Sequence, residues 1–313
     1  MKRVFPLTLP GFLCCFFLLT TLAAAQSDRI MYAVFPENPQ PGEPVTVCVG
    51  AAGGVRQAAL IVDGKRLTRA FFFSVPAGDG KLNFMAAVLA IPSTAQAGAA
   101  FISVESQTGV LSEIPVNIAD RDFVSEVIEL DPVLTGLRVD PDPQKTIESE
   151  QLWAIISRTG RDIYSTGAFS PPVSSTRLTS FFGDRRVYKY SNGASDTSIH
   201  AGIDFGVPTG TPVNACGPGR VVLARFRIVT GNSVIIEHLP GVYSLYYHLD
   251  SIEANEGVIV DTGALLGLSG ATGLATGPHL HWEVRVAGEN TDPDAFISRP
   301  ILDKDAILGR IGY

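Results

Sequence analysis

Between Met31 and Ile118, apolar residues come in short runs separated by turn residues. Val45, Val47 and Val49 alternate with other residues after a Pro41-Gly42 turn, and Asp63-Gly64 separates Leu60-Ile61-Val62 from Lys65-Arg66-Leu67, the signature of two strands joined by a tight turn. Further strand-length segments fall at 71–75, 82–89, 101–104 and 114–118. This spacing predicts a small antiparallel β-sandwich of immunoglobulin-like type over residues 26–120. Residues 120–142 are charged and punctuated by proline, as a linker is, and lead into a predicted helix over 146–158. There Leu152, Ile155 and Ile156 share a face before Gly160 stops the helix. After Pro171-Pro172 the pattern turns Gly-rich, with strand-length apolar segments at 213–215, 219–226, 233–237, 243–248, 258–260, 265–268 and 281–286. These predict a compact, nearly all-β domain over 173–300. The chain therefore reads as mainly β, divided into an N-terminal segment (1–25), the sandwich (26–120), a linker with a helix (121–172), the second β domain (173–300) and a C-terminal tail (301–313).

At 313 residues and 46% hydrophobic, the chain is long enough for two cores. Lys2 and Arg3 precede an apolar run through Phe12, Leu13, Phe16, Phe17, Leu18 and Leu19, which ends in Ala23-Ala24-Ala25 before Gln26. That is the layout of a cleavable export signal. An uncleaved N-terminal anchor is the alternative, but the run is short for a membrane span. Cys14 and Cys15 lack the small residues before them that lipoprotein-type processing needs. The expected destination is the periplasm or cell envelope. Removing residues 1–25 discards Lys2 and Arg3, so a formal charge of −7 becomes −9, which argues against nucleic acid as a partner. Cys48 and Cys216 then remain, far apart in sequence. They read as small core residues rather than a disulfide framework.

All five histidines fall between positions 200 and 281. His200-Ala-Gly-Ile-Asp204 sets an imidazole and a carboxylate four apart, an even separation that shares one face of an extended segment. His279-Leu280-His281 does the same with two imidazoles. Three N and O donors with a spare histidine form the inventory of a catalytic zinc site, in which three protein ligands leave the fourth position to water. Zinc lowers the pKa of that water toward about 7 and polarises a carbonyl oxygen. Of His279 and His281 only one need bind metal. His248, in Ser-Leu-Tyr-Tyr-His-Leu, is the natural second non-ligand histidine, so that the pair supplies a general base and a donor to a tetrahedral oxyanion.

At these residues the sequence resembles the lysostaphin-type, or beta-lytic, zinc metallopeptidases that cut peptide cross-links of bacterial peptidoglycan. The family's His-x-x-x-Asp motif is matched by His200 and Asp204, its His-x-His motif by His279 and His281 in Thr-Gly-Pro-His-Leu-His-Trp-Glu-Val, and its Tyr-x-His-Leu segment by Tyr246, His248 and Leu249. The likeness runs over about residues 176–294 and includes Thr179-Ser-Phe-Phe-Gly-Asp-Arg-Arg186. It implies an antiparallel β peptidase domain with a groove floored by the sheet and walled by loops, of which 185–198 is one. It also implies one zinc ion per chain held by His200, Asp204 and His281, with His279 and His248 as general base and transition-state stabiliser. The implied activity is endopeptidase hydrolysis of peptidoglycan cross-links through a zinc-bound water.

Two other functions compete with this one. The family also contains catalytically silent regulators that bind and activate another wall hydrolase, but these usually lack a metal position, and all are present here. A metalloenzyme of another amide-hydrolysing class, with the sandwich binding glycan, is the third. Without His, Cys or carboxylate clusters the sandwich reads as a scaffold, with room for a cell-envelope protein partner; with the linker helix it could also cover the groove and make the chain latent. Of the remaining polar residues, His238 reads as a turn residue because the ligand set is complete without it. Glu283, on the face of His279 and His281, either orients a ligand imidazole or forms a structural ion pair. Asn232 either bonds substrate backbone or starts a strand.

Overall fold

The computed structural model describes residues 31–50, 54–78 and 83–312. The expected export segment over 1–25, with Cys14 and Cys15, lies outside them. Eight strands open the fold: β1 (Tyr32–Phe35), β2 (Pro44–Val49), β3 (Val55–Val62), β4 (Lys65–Phe71), β5 (Phe73–Val75), β6 (Phe84–Ala90), β7 (Gly98–Ser106) and β8 (Val110–Ile118). They make two four-stranded antiparallel sheets, β1-β2-β6-β5 and β4-β3-β7-β8, packed over Val45, Val47, Val49, Leu60, Leu89 and Ile102. The predicted Asp63-Gly64 turn is present with both residues at positive φ, 49° and 71°, as the twist of a two-residue hairpin requires. The single strand expected over 71–75 is instead two: β4 ends at Phe71 in one sheet and β5 begins at Phe73 in the other, so the chain crosses the sandwich there.

β2 is buried at all six positions. Its valines fill the sandwich core, while Cys48, with Phe73, Val75, Phe84, Ala86 and Val88, turns outward into a second cluster. A strand covered on both faces loses the polar alternation of a half-exposed one, and Pro-Val-Thr-Val-Cys-Val and the Phe-Met-Ala-Ala-Val-Leu-Ala of β6 read that way.

The segment expected to be a linker with one helix carries more structure. It contains β9 (Ser125–Glu129), α1 (Pro132–Val139) and α2 (Pro143–Ile156). β9 pairs in parallel with β11 (Arg185–Lys189), which pairs in turn with β12 (Ser195–Ile199). Both helices start on an Asp-Pro pair: Asp131 caps Leu134 N at 2.8 Å and Asp142 caps Gln144 N at 2.8 Å, with proline in the first turn where its missing N–H costs nothing.

The second domain is built on one large antiparallel sheet. Its main path is β10 (Leu178–Ser180), β13 (Ile203–Phe205), β20 (Leu280–Val286), β17 (Val242–Ile252), β16 (Gly231–Leu239), β15 (Gly219–Arg227) and β18 (Ile259–Val260). β14 (Pro212–Asn214), β19 (Leu265–Ser269) and β21 (Glu289–Thr291) are attached at its margins. α3 (Pro293–Ser298) follows. Residues 301–313 are not an extended tail, because α4 (Lys304–Ile311) buries Ile307, Leu308 and Ile311. One face of the sheet, with Ile203, Phe205, Tyr246, Leu280, Trp282, Val284 and Val286, shares a continuous cluster with the outer face of the sandwich and with α3 and α4. On the opposite face, α2 sets Ile156, Leu152 and Ile155 against Leu223, Ile235, Tyr243, Leu245 and Tyr247.

Candidate metal centre

Alternation along β20 decides which side chains leave the core. Leu280, Trp282, Val284 and Val286 are buried in the main cluster, so His281, Glu283 and Arg285 project from the other face. His279, bridged to Gly270 just before the strand, continues their row. β13 flanks β20 with Asp204 opposite His281, and because Ile203 and Phe205 go inward, Asp204 emerges beside it. On the other side Tyr247 is in register with His281, and the two rings stack at 5.5 Å with 4° between their planes.

His200 and Asp204 converge by a different route from the one their spacing suggested. They do not share one extended segment: His200 ends the connection from β12, and a bend through Ala201 and Gly202 separates it from β13. Gly202 lies so close to the backbone of Trp282 and Glu283 that a Cβ would collide with it, and this close approach lets the bend return His200 over Asp204.

The three ligand candidates present their inner atoms to one point. His200 Nε2 is 3.1 Å from Asp204 Oδ1, His281 Nδ1 is 2.7 Å from the same oxygen, and the two ring nitrogens are 3.0 Å apart. Every outer atom already has a partner. His200 Nδ1–H donates to Phe181 O at 2.7 Å and His281 Nε2–H donates to Glu283 Oε1 at 3.0 Å. Arg186 Nη2 donates to Asp204 Oδ2 at 2.8 Å. With the outer N–H groups so assigned, each inner nitrogen carries a lone pair. Three buried lone-pair donors with no proton of their own fit a cation at their meeting point.

The electrostatics describe the site without an ion, in which a proton on His281 Nδ1, held toward Asp204 Oδ1, takes the place that a cation would occupy. Burial pushes the His200 imidazole below its ordinary value and keeps it a neutral donor. For Asp204 burial works the other way, but His281 and His200 outweigh it and hold the carboxyl well below the usual range. Burial also opposes charge on His281, yet Asp204 and Glu283 together raise it to about 9. Glu283 falls to about 2 because Arg285 and His281 overcome its desolvation. Glu283 therefore fills both roles that its position suggested: it orients His281 and pairs with Arg285 Nε at 2.8 Å.

The two remaining histidines stand beside this group. His279 Nε2 is 3.8 Å from Asp204 Oδ1, and the His248 and His279 rings are 4.8 Å apart. Each is fixed by its outer nitrogen: His279 Nδ1–H donates to Gly277 O and His248 Nδ1–H to Thr272 O, both at 2.8 Å. Their Nε2 atoms are left free to accept. Burial, aided by His279 and His281, lowers the His248 pKa to about 3.

All five residues singled out in the sequence thus lie in one cluster. His238 and Asn232 do not join it. His238 is no turn residue: it lies within β16, fully buried, with Nδ1 donating to Pro218 O and Nε2 2.7 Å from Ser244 Oγ. Asn232 gives its side-chain amide to Asp250 O at 2.9 Å. Sequence reasoning missed Tyr247, whose step of one from Tyr246 and register with His281 carried the signal, and Arg186, which lay within the Thr179–Arg186 segment without a role.

Comparison with known proteins places these residues in context. Residues 198–293, which include all five, match peptidase family M23. Over 135 residues the chain is 37% identical to the DD-carboxypeptidase/endopeptidase Mpg of Neisseria meningitidis serogroup B, covering 43% of this chain and 30% of that protein. Over 118 residues it is 41% identical to the peptidoglycan DD-endopeptidase ShyA of Vibrio cholerae serotype O1, covering 38% and 27%. The matches thus span less than a third of these relatives' lengths. A crystal structure of a Pseudomonas aeruginosa protein assigned to peptidase M23 superposes with a TM-score of 0.56 at 28% identity, over 83% of this chain and 94% of that one. That likeness extends past the family match into the β-sandwich half.

Proposed function

We propose, on the premise that residues 198–293 match peptidase family M23, that the chain is a zinc-dependent endopeptidase that hydrolyses peptide cross-links of bacterial cell-wall peptidoglycan. The observation that carries the reading is the convergence of His200 Nε2, Asp204 Oδ1 and His281 Nδ1 within 3.1 Å of one another, beside two further imidazoles with free Nε2 atoms. Those three atoms would hold the ion. Two imidazoles and one carboxylate with an open side suit zinc, which when bound acts as a Lewis acid that activates water and polarises the amide carbonyl.

The chain's own groups move the protons. Nδ1 of His279 is tied to Gly277 O, so its Nε2 takes a proton from the attacking water as the new C–O bond forms, and passes it to the amide nitrogen as the C–N bond breaks. His248 faces the same space from β17; its Nε2 is unprotonated in the free site, and the negative charge that develops on the tetrahedral intermediate favours the imidazolium against the burial that lowers its pKa, so that Nε2–H can support the oxyanion. Glu283 and Arg186 hold the outer atoms of His281 and Asp204, so that the inner atoms keep their aim. The proposed substrate and the export signal expected over 1–25 support a site of action in the periplasm or cell envelope. Among the described residues no helix is long and apolar enough to cross a membrane.

The test pairs metal content with digestion of purified peptidoglycan by the wild-type chain and by His279→Ala. The expected result is one zinc per chain in both, with turnover in the variant reduced at least 100-fold, the lower end of a general base's contribution of about 10²–10⁴. Zinc retained without turnover by the wild type, across peptidoglycans of different cross-link type, would make the chain a silent regulator of another hydrolase instead.

A further inference from the structure

We propose that Glu126, on the strand that precedes the peptidase domain, is a positioning residue for the metal ligand Asp204 and acts on it through Arg186. The inference rests on the zinc site proposed above and adds a residue that lies outside the matched family region, 198–293.

The placement comes from backbone pairing. β9 runs parallel to β11 with Glu126 in register with Arg186, so the two side chains leave the small sheet on the same face. Glu126 Oε1 accepts from Arg186 Nε and, at 2.9 Å, from Ser180 Oγ. Nη2 of the same guanidinium donates to Asp204 Oδ2 at 2.8 Å and to Ser180 Oγ at 2.7 Å. A guanidinium is a planar fork, so fixing Nε fixes where Nη2 points. The fork is sunk between the elements, with the Arg186 side chain 13% exposed and that of Asp204 9%, while Ser180 and Asp184 below it are buried.

Glu126 has a second effect, through charge. An isolated cation on Asp204 Oδ2 would draw electron density from the carboxylate and weaken Oδ1 as a ligand. Glu126 on the far side of the guanidinium offsets much of that pull, and Asp204 keeps a firm hydrogen bond on one oxygen and its donor strength on the other. Loss of Glu126 also frees Arg186 to turn toward Asp184, whose Oδ2 lies 3.2 Å from Ser180 Oγ.

Zinc affinity, measured on metal-free protein by competition with a chelating indicator and without substrate, reads this directly. Glu126→Ala is expected to weaken zinc about 10-fold or more, as loss of groups behind metal ligands commonly does. Glu126→Gln keeps an acceptor for Arg186 Nε but not the charge, and is expected to fall between the two. Arg138→Ala is the control for general docking of the segment, because Arg138 ties α1 to β12 through Asp196 at 2.9 Å, away from the metal ligands. Its zinc affinity is expected to match wild type. Zinc binding by Glu126→Ala within twofold of wild type would overturn the inference and leave the peptidase reading intact. So would equal weakening by Arg138→Ala, which would make the effect one of strand docking. Failure of the wild type itself to bind zinc would overturn both.

Discussion

His248 departs from the rule that orders its neighbours. Along β17 Tyr247 faces the metal centre, so strict alternation would send residue 248 into the core, yet its ring lies 6.1 Å from that of His281. The backbone makes the difference, since His248 has φ of 63°, a conformation that costs a β-carbon residue of the order of 1 kcal/mol or more and is held at functional sites by surrounding structure. Its presence in the cluster was legible from the strand-like Ser-Leu-Tyr-Tyr-His-Leu segment and from motif resemblance, although periodicity alone gives the wrong face. His279 and His281 were legible from the period of two, and His200 with Asp204 from their spacing, although a bend at Gly202 rather than a straight strand joins them. Glu126 had no local signal, since its role depends on pairing with a strand 60 residues away. A prediction at this scale concerns His238, whose burial lowers its pKa to about 4. As pH falls through about 6.5 the unfolded chain takes up a proton that the folded chain refuses until about pH 4. This group's contribution is therefore complete above pH 6.5 and is lost toward pH 4, on the order of 3 kcal/mol. Urea midpoints between pH 7 and 4.5 should fall less for His238→Gln than for wild type, and equal slopes would contradict this account.

Among the elements, the strands were the most legible, because turn residues and apolar runs mark them locally. Helices α1, α3 and α4 were overlooked although each has a start signal: Asp131-Pro132, Asp292-Pro293 and an Asp303 that caps Ala306 N at 3.0 Å. Proline in a charged segment suggests a linker, but directly after aspartate it marks a first turn. β9 was hidden because its apolar residues are partly exposed, Val127 at 56%, and its only partner among the described residues is a distant parallel strand. α2 has the most consequence for access. It lies on the same face of the sheet as His281 and reaches Tyr247, whereas the sandwich joins the opposite face. Of the two parts expected to cover the groove, then, only the helix is on the right side. Glu148 secures it by accepting from Ile228 N at 2.9 Å. Ile156, 1% exposed, is the apolar anchor, and Ile156→Ala should cost about 2–5 kcal/mol in a denaturant titration. A loss below about 1 kcal/mol would mean that the helix is only loosely docked.

For the whole molecule, the division into two β domains was legible but their union was not. One apolar cluster runs from Cys48 and Phe84 on the sandwich, through Phe182 and Phe296, to Cys216, Leu280 and Trp282 under the metal centre. Polar ties span the same boundary: Arg121 to Asp292 at 2.5 Å, Arg299 to Glu43 at 3.1 Å and Thr46 Oγ1 to Ile301 O at 2.9 Å. Domains that share so much apolar surface do not behave as independent folding units. Calorimetry should show a single transition, with calorimetric and van't Hoff enthalpies in agreement; two separable transitions would contradict a shared core. A chain shortened to begin at Ser170 should bind a hydrophobic dye and aggregate, because Phe182, Phe296 and Ile301 lose their cover.

The shared core also fixes a distance. A sandwich on a flexible tether would let the cleft search a volume, whereas one fused through a packed interior holds the cleft at a constant height and angle above whatever the sandwich rests on. The molecule is in that respect a set gauge, whose offset between the far face of the sandwich and the histidine cluster is decided by the thickness of one β-sandwich.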